Sequence, residues 1–265
     1  MSKKALRIRV KQPTAHYRDH KVSQNEYIDT LELPPKTTIM GMLTYLCDRR
    51  LKSPIDIAVI GFYKSKEIEF SRGERISFWD DYRKFKKKVE NRLSDGEYYD
   101  YYKSELAENS ILNYEVLKDV QLTIYISTES NEEFQIIKNS LESPSKYMNI
   151  GRKEDFIIPI VKGVFVEEVY LEEKYISETK EAIKEQLKIM NSYIKVDLKD
   201  SSNDILSKGA LYALPSTYKD LEADKVDRKF IFSHYIYVDK EGIYPKNITV
   251  NIYDDGKKKE VFTWL

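Results

Sequence analysis

The residues able to do chemistry are few and unevenly placed. His16, His20 and His234 are the only histidines, and Cys47 is the only cysteine. His16 and His20 stand four apart, but in a polar stretch without an HExxH pattern or a nearby cysteine, so their spacing builds no metal centre. Tyr17, His20 and Lys21 could serve metal-free acid–base chemistry; contact with a polyanion, or plain solvation, suits the same side chains equally. No Gly-x-Ser-x-Gly turn or comparable nucleophile motif occurs.

Groups able to grip phosphate are more plentiful. The first twenty-five residues hold Lys3, Lys4, Arg7, Arg9, Lys11, Arg18 and Lys21 against one acid, Asp19. On a strand, cations at alternate positions share a face at about 7 Å spacing, which suits a phosphate chain as well as it suits an ordinary solvated face. "LPPKTTIMG" sets Lys36, Thr37 and Thr38 at a helix start, where free N–H groups can meet an anion. The glycines and the GK[ST] ending of a Walker loop are missing, and a plain helix cap explains the same residues. "SPSKYMNIGRKEDF" (143–156) carries Lys146, Asn149, Gly151, Arg152 and Lys153. Gly151 can take φ > 0 and let a backbone approach a ligand, and arginine holds phosphate with two bonds. Glu154 and Asp155 can instead pair with Arg152 and Lys153, making a charged turn.

Bulk composition is neutral on partners. Lys+Arg and Asp+Glu are both 44, so only local clustering can attract nucleic acid. At 265 residues with 41% apolar content, the chain suits one large domain or two modest ones. One cysteine excludes internal disulfides and argues against cysteine-ligated metal. The start of the chain reads as strand rather than signal peptide, and no run of about 18 apolar residues occurs. A soluble cytoplasmic protein without cofactor or membrane partner is expected. Most of the 21 tyrosines reflect compositional bias, although aromatics among lysines also suit base stacking.

The elements that must position these groups follow from periodicity. Leu6, Ile8 and Val10 alternate with Arg7, Arg9 and Lys11, giving a half-buried strand. Ile39, Met42, Leu43, Leu46 and Cys47 make one helical stripe, with Thr37 or Thr38 available as cap. Residues 56–63 read as a central strand. From 64 to 118 the pattern breaks into a basic and then an acidic, tyrosine-rich stretch, read as an inserted segment, partly hairpin. "VQLTIYIS" is a strand. Ser130 and Glu133 form a capping box for a helix with Phe134, Ile137 and Leu141 on one face. "GVFVEEVYLEE" is a further strand. "SETKEAIKEQLKIMNSY" reads as a helix capped by Ser177, and short strands fill the remainder. Without the insertion the order is strand–helix–strand–strand–helix–strand. The fold class is therefore α+β: a ferredoxin-like domain over 1–165 with 64–118 inserted in it, and a smaller β-rich domain over 166–265.

Four segments together resemble a known family. "LRIRVKQPTAHYR", "LELPPKTTIMGMLTYL", "LKDVQLTIYI" and "KYMNIGRKEDF" are similar in order and spacing to the Cas-five family of CRISPR-associated proteins, within the repeat-associated mysterious protein superfamily. "ALYALPSTY" is the familiar piece of the tail. The resemblance implies a non-catalytic subunit of a type I-B-like Cascade in antiviral defence. Such a subunit holds the 5′ handle of the CRISPR RNA and docks a Cas-seven backbone subunit and a Cas-eight-type large subunit. Target DNA is met only through the complex. The RNA contacts so implied are Arg7, Arg9, His16, Tyr17, Arg18, His20, Lys21, Lys36, Thr37, Thr38, Lys118, Lys146, Asn149, Gly151, Arg152 and Lys153. A type I-C branch of the family cuts precursor RNA with tyrosine, lysine and histidine. Here the local counterpart of its lysine–histidine pair is Lys118-Asp119, and aspartate does not replace imidazole near neutral pH. Metal-independent endoribonuclease activity is the alternative, and a ferredoxin-like interaction domain that never meets RNA is a third possibility.

Overall fold

A computed structural model describes residues 2–19, 27–74, 109–159, 166–198, 207–220 and 228–265. The chain divides into two units. Met1–Tyr17, Glu32–Ser65 and Leu117–Leu265 form the first, and Arg18–Leu31 with Lys66–Val116 the second. Described elements run in the order β1 (Ser2–Ala15), β2 (Tyr27–Ile28), α1 (Lys36–Leu46), β3 (Ile55–Phe62), β4 (Ser65–Glu74), β5 (Asn109–Thr128) and α2 (Asn131–Glu142). There follow β6 (Ile158–Pro159), β7 (Val166–Ile176), α3 (Thr179–Lys184), β8 (Ser192–Val196), β9 (Ala210–Asp220), β10 (Arg228–Val238), β11 (Ile248–Asp254) and β12 (Lys259–Phe262).

In the first unit four strands lie in the order β7-β1-β5-β3, each pair antiparallel. β11 and β12 extend this sheet beyond β7, and β8, β10 and β9 extend it beyond β3. The strands after residue 166 therefore continue the sheet that β1 begins. Period-two alternation gives the sheet two faces. Leu6, Ile8 and Val10 on β1, Ile57 and Val59 on β3, and Leu122, Ile124 and Ile126 on β5 are all buried on one face. The helices pack there: Lys4, on the same side of β1, sits 4.4 Å over the Phe134 ring of α2.

α1 buries Ile39, Met42, Leu43 and Leu46, as the stripe predicts. Its cap differs from expectation. Pro35 is the N-cap, no side chain caps the helix, and the N–H groups of Thr38 and Ile39 reach the Pro35 carbonyl. Proline fixes the start by its own φ, so neither threonine is needed. Ser130 caps α2 by accepting from the Glu133 N–H at 3.3 Å. Glu133 does not complete the box; its carboxylate accepts from the Lys52 and Ser53 N–H groups, at 2.7 and 3.0 Å.

The long helix expected over 177–193 is only six residues, Thr179–Lys184. α3 ends at Lys184, and its N-cap is Glu178 without a side-chain bond, not Ser177. Gln186 takes φ 58°, and the Leu187 N–H returns to the Ala182 carbonyl at 2.8 Å, which stops the helix. Leu187 and Ile189 are thereby released to join a core with Ile194, Ile236, Val250, Ile252 and Val261. On a helix the two would lie about 200° apart and could not both face it.

The other face of the sheet is covered at one end by the C-terminal segment. Phe262 of β12 stacks on Tyr125 of β5, ring centroids 4.2 Å apart and planes 20° off parallel. Ala5, Ala58, Val169 and Leu171 complete this second core, and the Leu265 N–H bonds to the Ile57 carbonyl at 2.8 Å. Burying a phenylalanine in this way is worth about 2–3 kcal/mol.

In the second unit β2 pairs in parallel with Asn113 and Tyr114 at the start of β5, and β4 pairs with β5. Glu115 fixes the first of these pairings, accepting from the Thr30 N–H at 3.1 Å and meeting Lys66 at 3.5 Å. Most of the expected insertion, residues 75–108, lies outside the described residues.

Candidate nucleic-acid interface

The 143–156 loop is organised from below by one carboxylate. Asp155 is fully buried. Its Oδ2 accepts from the Arg152 N–H (2.8 Å), the His16 N–H (3.0 Å) and Arg152 Nε (3.2 Å). Its Oδ1 accepts from Arg152 Nη2 (3.0 Å) and, more weakly, Thr14 Oγ1 (3.4 Å). A buried charge needs this many partners to offset lost hydration. From β1, Gln12 reaches up with Nε2 to the carbonyls of Ile150 (2.8 Å) and Asp155 (2.9 Å). Asn149 Nδ2 donates to the Arg152 carbonyl at 2.9 Å and closes the turn.

Gly151 takes φ 105°, a conformation that favours glycine. An added Cβ would lie 2.7 Å from the His16 carbonyl oxygen and 2.8 Å from Asp155 Oδ2. The close approach that Gly151 permits is thus to the chain's own backbone. Arg152 is held by Asp155 and by Glu154, 3.3 Å from its Nε, so the charged-turn reading holds for this residue. Lys153 is exposed and has no ion-pair partner among the described residues.

The other sequence-derived candidates divide sharply. His16 and Tyr17 are buried beneath the loop. Tyr17 Oη donates to Gln12 Oε1 at 2.6 Å, and burial pushes its phenol well above the ordinary value, so it is placed to support β1, not to trade protons with a ligand. Lys118 is half-buried opposite Thr14, which puts it beside this cluster. Asp119, the next residue, takes φ 51°. Arg18, in the second unit, is exposed and bridges to Thr30. His20 and Lys21 lie outside the described residues.

Three assignments need correction. Arg7 is not on an open cationic strip. It is buried, with both oxygens of Glu260 at 3.0 and 3.1 Å, Glu167 beyond Nη1, and Tyr125 Oη at 3.1 Å from Nε. The C-terminal segment covers its face, and the guanidinium became an internal anchor. Burial alone would raise the Glu260 carboxyl, but the bonds from Arg7 and Tyr125 outweigh it and hold its pKa below the ordinary value. Lys36 does not await a phosphate: Nζ donates to the Leu265 main-chain oxygen at 3.1 Å, and burial lowers its pKa. Leu265 in turn bonds Ile57, level with Leu6 of β1 through Ile126, eight residues from Thr14. Thr37 and Thr38 lie in the first turn of α1. Lys146 is likewise engaged, with Asp48 Oδ1 at 2.6 Å, the Tyr45 carbonyl at 2.9 Å and the Tyr45 ring at 4.7 Å.

Gln12 was not among the expected site residues, and Asp155 was expected only as a partner of Arg152 or Lys153, not as the loop's buried anchor. Gln12 follows Leu6, Ile8 and Val10 in the inward phase, and a polar side chain at that phase is the signal of a buried bond. Asp155 had a weaker signal, since a carboxylate two residues from a lysine resembles any surface turn. Among the described residues no group of three or more metal-binding side chains gathers, and no helix is long and apolar enough to cross a membrane.

These features define a class: an α+β protein on a mostly antiparallel sheet, with a cation-bearing loop folded about a buried carboxylate. Residues 5–226 match the sequence profile of the CRISPR-associated protein (Cas_Cas5) family, and the chain belongs to that family. Among solved structures, a chain of a CRISPR RNA-guided surveillance complex is 13% identical, with 90% of each chain covered and a TM-score of 0.46. A CRISPR protein from Archaeoglobus fulgidus is 11% identical over 98% of each chain, with a TM-score of 0.40. A chain of a type III-B Cmr-beta complex bound to cognate target RNA is 12% identical over 89% of this chain and 84% of that one, at 0.35. No curated protein sequence matches the chain.

Proposed function

We propose that the protein is a non-catalytic subunit of a type I, I-B-like CRISPR effector complex, holding the 5′ handle of the CRISPR RNA. In that complex it docks a Cas-seven backbone subunit and a Cas-eight-type large subunit. The observation that carries this reading is the family match across residues 5–226. The antiparallel order β7-β1-β5-β3 supports a ferredoxin-like core, and the separate unit containing Lys66–Val116 supports a thumb over 64–118. Lys153 presents the loop's outward charge, and Arg9, Lys11 and Lys118 add cations from the same unit. Gly151, Arg152, Asp155 and Asn149 act by shaping the loop. Lys118 is followed by Asp119, which offers no imidazole for RNA cleavage, and this supports a binding role without nuclease activity.

Incubating the purified protein, alone and in the assembled complex, with repeat RNA in EDTA tests both halves. The expected result is retention of uncut handle RNA in the complex. Specific metal-independent cleavage would refute the non-catalytic half, and absence of handle contact would refute the binding half.

A further inference from the structure

Among the described residues, the helix-free face of the sheet is closed at one end. Its first row, Ala58–Tyr125–Arg7, lies beneath Phe262 and Glu260. Two further rows continue the same face toward the other end of the strands. Ile60, Thr123 and Arg9 stand opposite one another on β3, β5 and β1, and Phe62, Gln121, Lys11 and Ile158 follow on β3, β5, β1 and β6. Facing residues of paired strands share a side, so these side chains emerge together.

This end is open among the described residues. Phe62 is 49% exposed and Ile158 41%. The cations are loosely held: Arg9 Nε is 3.9 Å from Glu167 and Lys11 Nζ 3.7 Å from Asp119, against 3.0 Å for Arg7 to Glu260. Two strand spacings put Phe62 about 10 Å from Lys11, and two residues along β1 put Arg9 about 7 Å from Lys11. Thr123 and Gln121 fill the ground between with a hydroxyl and an amide.

We propose that this open end, Phe62 with Thr123, Gln121, Arg9 and Lys11, is a stacking platform for an unpaired base of single-stranded RNA. It rests on the RNA-binding reading above and adds residues outside the loop. The occupant follows from the chemistry. An aromatic face stacks any base, two cations stand at about the reach of that base's own phosphates, and the amide and hydroxyl face its edge. An apolar protein segment would leave Arg9 and Lys11 unmatched.

The test is a titration of fluorescently labelled single-stranded repeat RNA into the full-length protein, at several salt concentrations. A second RNA of the same length carries abasic sites. Phe62→Ala should weaken binding of the natural RNA about five- to hundredfold, without changing the salt slope. Phe62→Trp should restore it, and the abasic RNA should bind both variants alike. Lys11→Ala should lower the salt slope by about 0.7. Wild-type affinity in Phe62→Ala, with Lys153→Ala still weakened, would overturn the platform and leave the loop's role standing. Loss of subunit docking rather than RNA affinity in Phe62→Ala would assign the face to protein. Failure of wild-type protein to bind either RNA, alone or assembled, would remove the platform together with the reading beneath it.

Discussion

Arg7 and Arg9 are two residues apart on one strand and point to the same side, yet their surroundings are opposite. Arg7 lies under the C-terminal segment, bonded to Glu260, Glu167 and Tyr125. Arg9 is a third exposed and, among the described residues, meets only Glu167, at the limit of an ion pair. Lys11, one step further, is more exposed again. Period two decides which face a side chain takes, but what covers that face is decided elsewhere in the chain. One half of the face has become core, and the other half leaves its cations partly exposed.

The contrast breaks most visibly at Glu260. Removing its carboxylate in Glu260→Ala strands a buried guanidinium, which costs about 3–5 kcal/mol; denaturant melts should show the loss. Arg9→Ala should leave stability within about 0.5 kcal/mol of wild type. Equal effects at the two sites would erase the distinction between the covered and open ends.

A second comparison sets residues that shape the loop against those that present charge. Gly151→Ala places a side chain at positive φ against the His16 carbonyl and should cost about 1–3 kcal/mol, while weakening handle binding through a displaced Lys153. Lys153→Ala should leave the melting temperature unchanged and lower the salt slope of RNA binding by about 0.7.

Acid should separate the two ends of the sheet face more gently. Glu260 has a folded pKa below its ordinary 4.5. Its contribution is therefore complete above about pH 4.5 and is lost as pH falls through the lower folded value. The acid limb of the stability profile should flatten in an Arg7→Met, Glu260→Met double variant, compared by thermal melts from pH 3 to 7. An unchanged limb would show that this pair does not carry the acid response.

What was legible in the sequence was local. Leu6, Ile8 and Val10 announce β1, the stripe Ile39–Leu46 announces α1, and Ser130 announces the start of α2, each from residues within a few positions. The cover over Arg7 was not legible, because Glu260 lies 253 residues away and no periodicity links them. The helix over 177–193 was read too long for a related reason. Ile183, Leu187 and Met190 fall at helical spacing, but burying both Leu187 and Ile189 beside Val250 and Val261 requires an extended chain there. In the candidate site, Gly151 declared its positive φ, but the target of its close approach did not. His16 and Tyr17 looked like loop residues and are buried, because the 143–156 loop folds over them. Gln12 stood in the apolar phase of β1 as a readable sign of that fold.

The most direct test of the central claim is photo-crosslinking with mass spectrometry. The complex is assembled on CRISPR RNA carrying photoreactive nucleotides in its 5′ handle. The account predicts crosslinked peptides from the 143–158 loop and from the open sheet end around Arg9, Lys11 and Phe62. Handle crosslinks confined to other subunits, or to surfaces of this chain away from both regions, would contradict it.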